Sequence, residues 1–208
     1  MATAAQTSAP DLVRRAQRLQ YLTVVWMTAE AIIALTAAWR ARSPALLGFG
    51  GDSVIELLSA TVVLWRFKSK SQPESVRAEK AAARIAGGLL FLVAGFVAIT
   101  SAVALFGYVE PRPSLVGIIL LVVAAFGMPW LAIQKRKLAT RLSSASLKAE
   151  AAESSLCGYL SWIALVGLLV NAVFHQSWAD PVAALGLLPF VMKEGWEATV
   201  AARNRFHC

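Results

Sequence analysis

Asp52 and Glu56 stand four residues apart in GDSVIELLSA, inside a run from Pro44 to Trp65 that is otherwise almost free of polar groups. Glu153 and Cys157 repeat that spacing in KAEAAESSLCGYLSW. Residues four apart on a helix share a face, so each pair presents two side chains in one direction. Three carboxylates and a thiol form an acceptable tetrahedral set for zinc. The oxygens also suit manganese or ferrous iron, while the thiol biases the set toward softer ions such as zinc, cadmium or cobalt. Magnesium prefers to keep several waters and gains nothing from a thiol. Against this stands a plainer reading: a protonated carboxyl pair hydrogen-bonded to neighbouring helices, and a thiol that only packs.

The elements that must carry these residues follow from hydropathy. The chain has 208 residues, 58% hydrophobic and only 15% charged, with a mean hydropathy of +0.61. Six runs at 20–40, 45–66, 84–108, 114–134, 146–173 and 178–199 are each roughly as long as a helix crossing a ~30 Å hydrocarbon layer. Because helices satisfy their own backbone groups in lipid, the expected fold is an all-α integral membrane protein with six transmembrane helices. A segment 1–19 would precede the six-helix domain 20–199, and a short tail 200–208 would follow it.

The net charge of +8 reports topology. Arg14, Arg15 and Arg18 precede the first run, and Arg66, Lys68, Lys70, Arg77, Lys80 and Arg84 surround the second connection. Lys135, Arg136, Lys137, Arg141 and Lys148 fall around the fourth, with Lys193, Arg203 and Arg205 at the end. Only Arg40, Arg42 and Arg112 reach the opposite side. The positive-inside rule then makes both termini cytoplasmic, and nucleic acid is not an expected partner. Residues 1–20 lack the apolar core of a signal peptide, so the first span is expected to be retained. GFGGD lacks the Walker pattern, which argues against a nucleotide, and no nucleophile–base pair points to an enzyme.

Depth decides which ionisable groups can meet. At 1.5 Å per residue, Asp52 and Glu56 lie about 10 Å and about 16 Å from the outer face, and Glu153 and Cys157 about 10 Å and about 16 Å from the inner one. All four are therefore expected near the midplane. Glu150 suits ligation itself, or equally a place behind the ligands or on a proton path. Glu30 suits a gate, a hydrated gateway or a hydrogen bond between helices. Asp180, just before Pro181, reads as an N-cap of its own helix. No lysine or arginine is expected deep in a span, so the buried acids should bind protons or a cation, or be hydrated. SKSQPESVRAEKAAAR reads as the longest connection, its AEKAAAR end winding into span three, and GYVEPRPS as a tight turn made by Pro111 and Pro113. Span four is expected to end near GMPW, where Pro129 should kink the helix or loosen its last turns.

At these residues the sequence resembles the cation diffusion facilitator family, the zinc transporter type of divalent-metal exchanger. The family builds its metal site from a ligand-x-x-x-ligand pair on span two, similar to GDSVIELLSA, and another on span five. The span-five pattern, Ala-Asp-x-x-His-x-x-x-Asp, looks like Ala149-Glu150-Ala151-Ala152-Glu153-Ser154-Ser155-Leu156-Cys157. The likeness extends to WADPVAALGL in span six. It implies proton-coupled secondary exchange that exports a divalent metal, zinc first, across the cell (inner) membrane, with lipid, metal ions, protons and a homodimer as partners. Two departures stand out. Glu153 and Cys157 occupy the usual His and Asp positions, so proton exchange would fall on carboxylates. The soluble C-terminal domain, which supports dimerisation and metal sensing in the family, finds no counterpart in the about nine residues after span six. The alternative is a non-transporting metal-binding membrane accessory or sensor; a channel comes third.

Overall fold

The computed structural model describes the backbone of residues 9–68, 72–142 and 145–204. Residues 1–8 and 205–208, and the basic side chains expected around the second connection, lie outside the described set. Six helices follow in order: α1 (Ala9–Ala41), α2 (Pro44–Lys68), α3 (Gln72–Leu105), α4 (Leu115–Leu142), α5 (Ala145–Phe174) and α6 (Ala179–Asn204). There is no strand among the described residues. The helices α1 to α5 hold stretches long and apolar enough to cross a membrane. At 26 residues α6 is long enough, but its apolar run is broken by Asp180, Lys193, Glu194 and Glu197, and it does not join them.

Packing makes α2 and α5 the centre. The pairs α1–α2, α3–α6 and α4–α5 lie along one another, and α2 also touches α3, α5 and α6. The shared core runs through Met27, Phe49, Leu121, Met128, Leu160 and Leu187. Two glycines set the helix spacing beside the candidate ligands. A Cβ on Gly51 would fall 2.7 Å from Val93 Cγ1, and one on Gly158 would fall 2.8 Å from the Pro129 ring. Any larger side chain would push α2 off α3, or α5 off α4.

Three connections gather at what we call the hairpin end. α1 closes through Arg42, whose φ is +52°, with the Ser43 N–H donating to the Ala38 carbonyl at 3.1 Å. This is the left-handed cap with its bond five residues back. Pro44 then opens α2 where a missing N–H costs nothing. The Arg112 N–H donates to the Ala41 carbonyl at 2.8 Å, and Asn171 Nδ2 donates to the Pro111 carbonyl at 3.1 Å. The chain reverses at Phe106 and Gly107 (φ +79°). The turn expected at Pro111 and Pro113 is thus made earlier, and the two prolines sit in an irregular stretch bonded across α1 and α5.

Three other expectations change. The connection read in SKSQPESVRAEKAAAR is mostly the start of α3, which begins at Gln72 with Pro73 in its first turn, where proline is tolerated. α4 runs on through Pro129 to Leu142, so Lys135 belongs to a helix and not to a loop. Asp180 caps α2, not its own helix: its Oδ1 accepts from the Ala45 N–H at 3.1 Å and its Oδ2 from Ser43 Oγ at 2.5 Å. Ser43 Oγ in turn accepts from the Leu46 N–H at 3.1 Å. At the start of α6 the Ala179 and Val182 N–H groups already donate to the Gln176 and Trp178 carbonyls and Pro181 has none, so the acceptors serve α2.

Candidate metal centre

Asp52 and Glu56 on α2 and Cys157 on α5 are buried, and one ligand atom from each lies within 4.8 Å of the other two. A tetrahedral ion with bonds of about 2.0–2.3 Å needs ligand atoms about 3.3–3.8 Å apart. Side-chain rotation can supply that closure of about 1 Å. The two helices bring different chemistry: hard oxygen from α2 and soft sulfur from α5.

Glu153 is not in this trio. It is half-buried, and its Oε2 accepts from Ser59 Oγ at 2.9 Å. The depth arithmetic explains the separation. It puts Cys157 between Asp52 and Glu56, whereas Glu153 falls level with residue 58, about 3 Å below Glu56 and about 9 Å below Asp52. A few ångströms along a helix axis suffice to change a side chain's neighbours.

Glu30, on α1, adjoins the trio instead. Its Oε2 accepts from Trp26 Nε1 at 2.6 Å and its Oε1 from Ser53 Oγ at 2.8 Å. The Cys157 thiol lies 3.7 Å from the same Oε1. Of the three readings for Glu30, the hydrogen bond between helices is the one the structure displays. Ser53, next to Asp52, was not singled out in the sequence, although its small hydroxyl on the face of Phe49 and Leu46 is a visible signal.

Glu150 has a different fate. Its Oε2 lies 2.8 Å from Lys135 Nζ, and both groups are buried. Lys135 Nζ also donates to Ser154 Oγ at 2.9 Å. Gln20 Nε2 donates to the same Glu150 oxygen at 3.0 Å and to the Ala60 carbonyl at 3.1 Å. Four helices thus meet at one polar knot, two turns of α5 below Cys157. The expectation that no basic residue is buried, and that the acids lack buried salt bridges, is corrected here by Lys135, 1% exposed. Its helical spacing was the available signal: Met128, Ala132, Lys135 and Ala139 are all buried on one face of α4, while Arg136, Lys137 and Arg141 are exposed. Gln20 lies likewise in the buried seam of α1 with Ala16, Thr23, Met27 and Glu30.

The arrangement is a membrane bundle with a group of candidate ligands where its two central helices meet. Comparison with known families agrees. Residues 21–203 match the cation efflux transmembrane domain, nearly the whole chain. The apolar helices, the buried ligand trio and that match together place the chain in the cation efflux family, the multi-pass membrane transporters of metal cations.

Proposed function

We propose that the chain exchanges a divalent metal, zinc before cadmium, cobalt, manganese or iron, for protons, and carries the metal out of the cytoplasm. In this reading α6 is the sixth span and residues 20–199 form the transport domain. Segment 1–19 and tail 200–208 lie in the cytoplasm, and the membrane is the inner cell membrane. The observation that carries the proposal is the buried trio of Asp52, Glu56 and Cys157.

The coupling follows from what a metal demands of such ligands. A thiol and two carboxyl groups must give up their protons to bind a cation, so loading releases protons. Crowded negative charge away from water is costly, so emptying the site draws protons back. Glu153 is the fourth ligand in this scheme, reaching the ion when it leaves Ser59. Glu30 holds the thiol in place from α1. Net direction is set by the two gradients.

The test is zinc entry into proteoliposomes recorded together with internal pH, for the native chain and Asp52→Asn. Zinc flux with opposing proton flux, lost in the variant, is the expected result. Zinc bound by the solubilised chain without flux would support the accessory or sensor reading instead. Metal flux with no opposing protons would overturn the exchange and favour a channel.

A further inference from the structure

A second feature lies between α1 and α4, away from the metal centre. Arg15, Arg18 and Leu22 recur at helical spacing on α1, and Trp130, Gln134 and Leu138 do so on α4. Together they border a groove of about 390 Å³. A continuation of about 230 Å³ adds Lys137 and Arg141. No acidic residue lines either part. All four cationic side chains are exposed, as is Trp130.

The groove is graded along its length. From Leu22 to the end of α1 at Ala41, and from the start of α4 at Leu115 to Gln134, the helices each rise about 28 Å. That is close to the ~30 Å of a hydrocarbon layer. Leu22 and Gln134 therefore mark the edge of the apolar zone, Trp130 lies about 6 Å inside it, and Arg15, Arg18, Lys137 and Arg141 fall beyond it, at headgroup level. Guanidinium groups bind phosphate oxygens in pairs. Indole rings favour the same boundary. Basic pockets between membrane helices attract anionic headgroups.

The geometry points to a binding site for an anionic phospholipid of the surrounding leaflet. Its phosphate sits among the four cations, and the first part of an acyl chain runs past Leu22 and Trp130. A zwitterionic lipid brings its own ammonium into the same cationic setting and is disfavoured. This site is independent of the metal centre and of the direction of transport.

The test uses the full chain in phosphatidylcholine vesicles containing an equal, low fraction of either brominated phosphatidylglycerol or brominated phosphatidylcholine. Bromine quenches neighbouring indoles, and subtracting Trp130→Phe isolates Trp130 from the other tryptophans. The expected result is quenching by the anionic lipid several-fold stronger, on the order of tenfold at low salt. That excess falls to parity in the Arg15→Gln/Arg18→Gln double variant. It persists in Arg136→Gln, whose exposed cation does not line the groove. Raised salt, which needs no variant, must also erase it. Parity in the native chain, or salt-resistant excess, overturns the proposal. An equal loss in Arg136→Gln overturns it too, since surface charge alone would then be responsible. Abolition of the excess by millimolar inorganic phosphate would assign the groove to a free anion and not to a lipid.

Discussion

Two buried acidic centres share α5, about two turns apart, and they are built for opposite purposes. At the upper one, Cys157 joins Asp52 and Glu56, a group of ligand atoms. At the lower one, a single oxygen of Glu150, Oε2, takes both the Lys135 ammonium and the Gln20 amide. Lys135 is the only buried basic side chain among the described residues, and it belongs to the lower centre. The lower centre ties α1, α2, α4 and α5 together, and under the proposed function the upper one exchanges its cation. In that reading the same residue type does structural or transport work according to what the neighbouring helices supply.

The largest predicted effect tests the lower centre. Lys135→Met strands Glu150 without its cation and is expected to cost about 3–5 kcal/mol, read from unfolding in detergent. Lys135→Met/Glu150→Leu should regain most of that loss, because replacing a whole buried pair by apolar groups is often neutral. If the double variant is as unstable as the single one, the pair is not the tie described.

Next comes the upper centre. Asp52→Asn is predicted to weaken zinc binding by about a hundredfold or more, as expected when a charged ligand is lost, while leaving the unfolding transition nearly unchanged. Calorimetric titration of the solubilised chain checks the first part. Loss of stability as large as that of Lys135→Met would erase the contrast between the two centres.

Smaller effects sharpen the ligand set. Cys157→Ser replaces a soft ligand by a hard one, so the preference for cadmium over manganese should fall by about tenfold. An unchanged ratio in competition binding would mean that the thiol only packs. Last, Glu153→Gln and Glu30→Gln separate a ligand from a residue that positions one. The first should lower zinc affinity by more than tenfold, and the second by about tenfold or less. The reverse order would make Glu30 the fourth ligand.

The sequence disclosed the helices and the paired residues because both rest on local signals. Apolar runs of membrane length mark α1 to α5, and a spacing of four marks Asp52 with Glu56. Depth arithmetic also brought the pairs on α2 and α5 to similar levels. What escaped depends on the lateral packing of one helix against another. Lys135 follows directly on an apolar span and reads as a loop cation until the buried face of α4 is continued past it. Asp180 has the look of a local cap, and only the fold reveals that the buried turn it caps belongs to α2. The separation of Glu153 from the trio is finer still, less than a helical turn.

The clasp of Asp180 on the start of α2 bears on how the centre comes apart. With Ala45 and Ser43 fastened to α6, that first turn is the natural fulcrum for any tilt of α2. Asp52 lies about 10 Å along the lever and Glu56 about 16 Å. A given swing would carry Glu56 half again as far as Asp52, so the two oxygen ligands would part from a bound ion in sequence, Glu56 first.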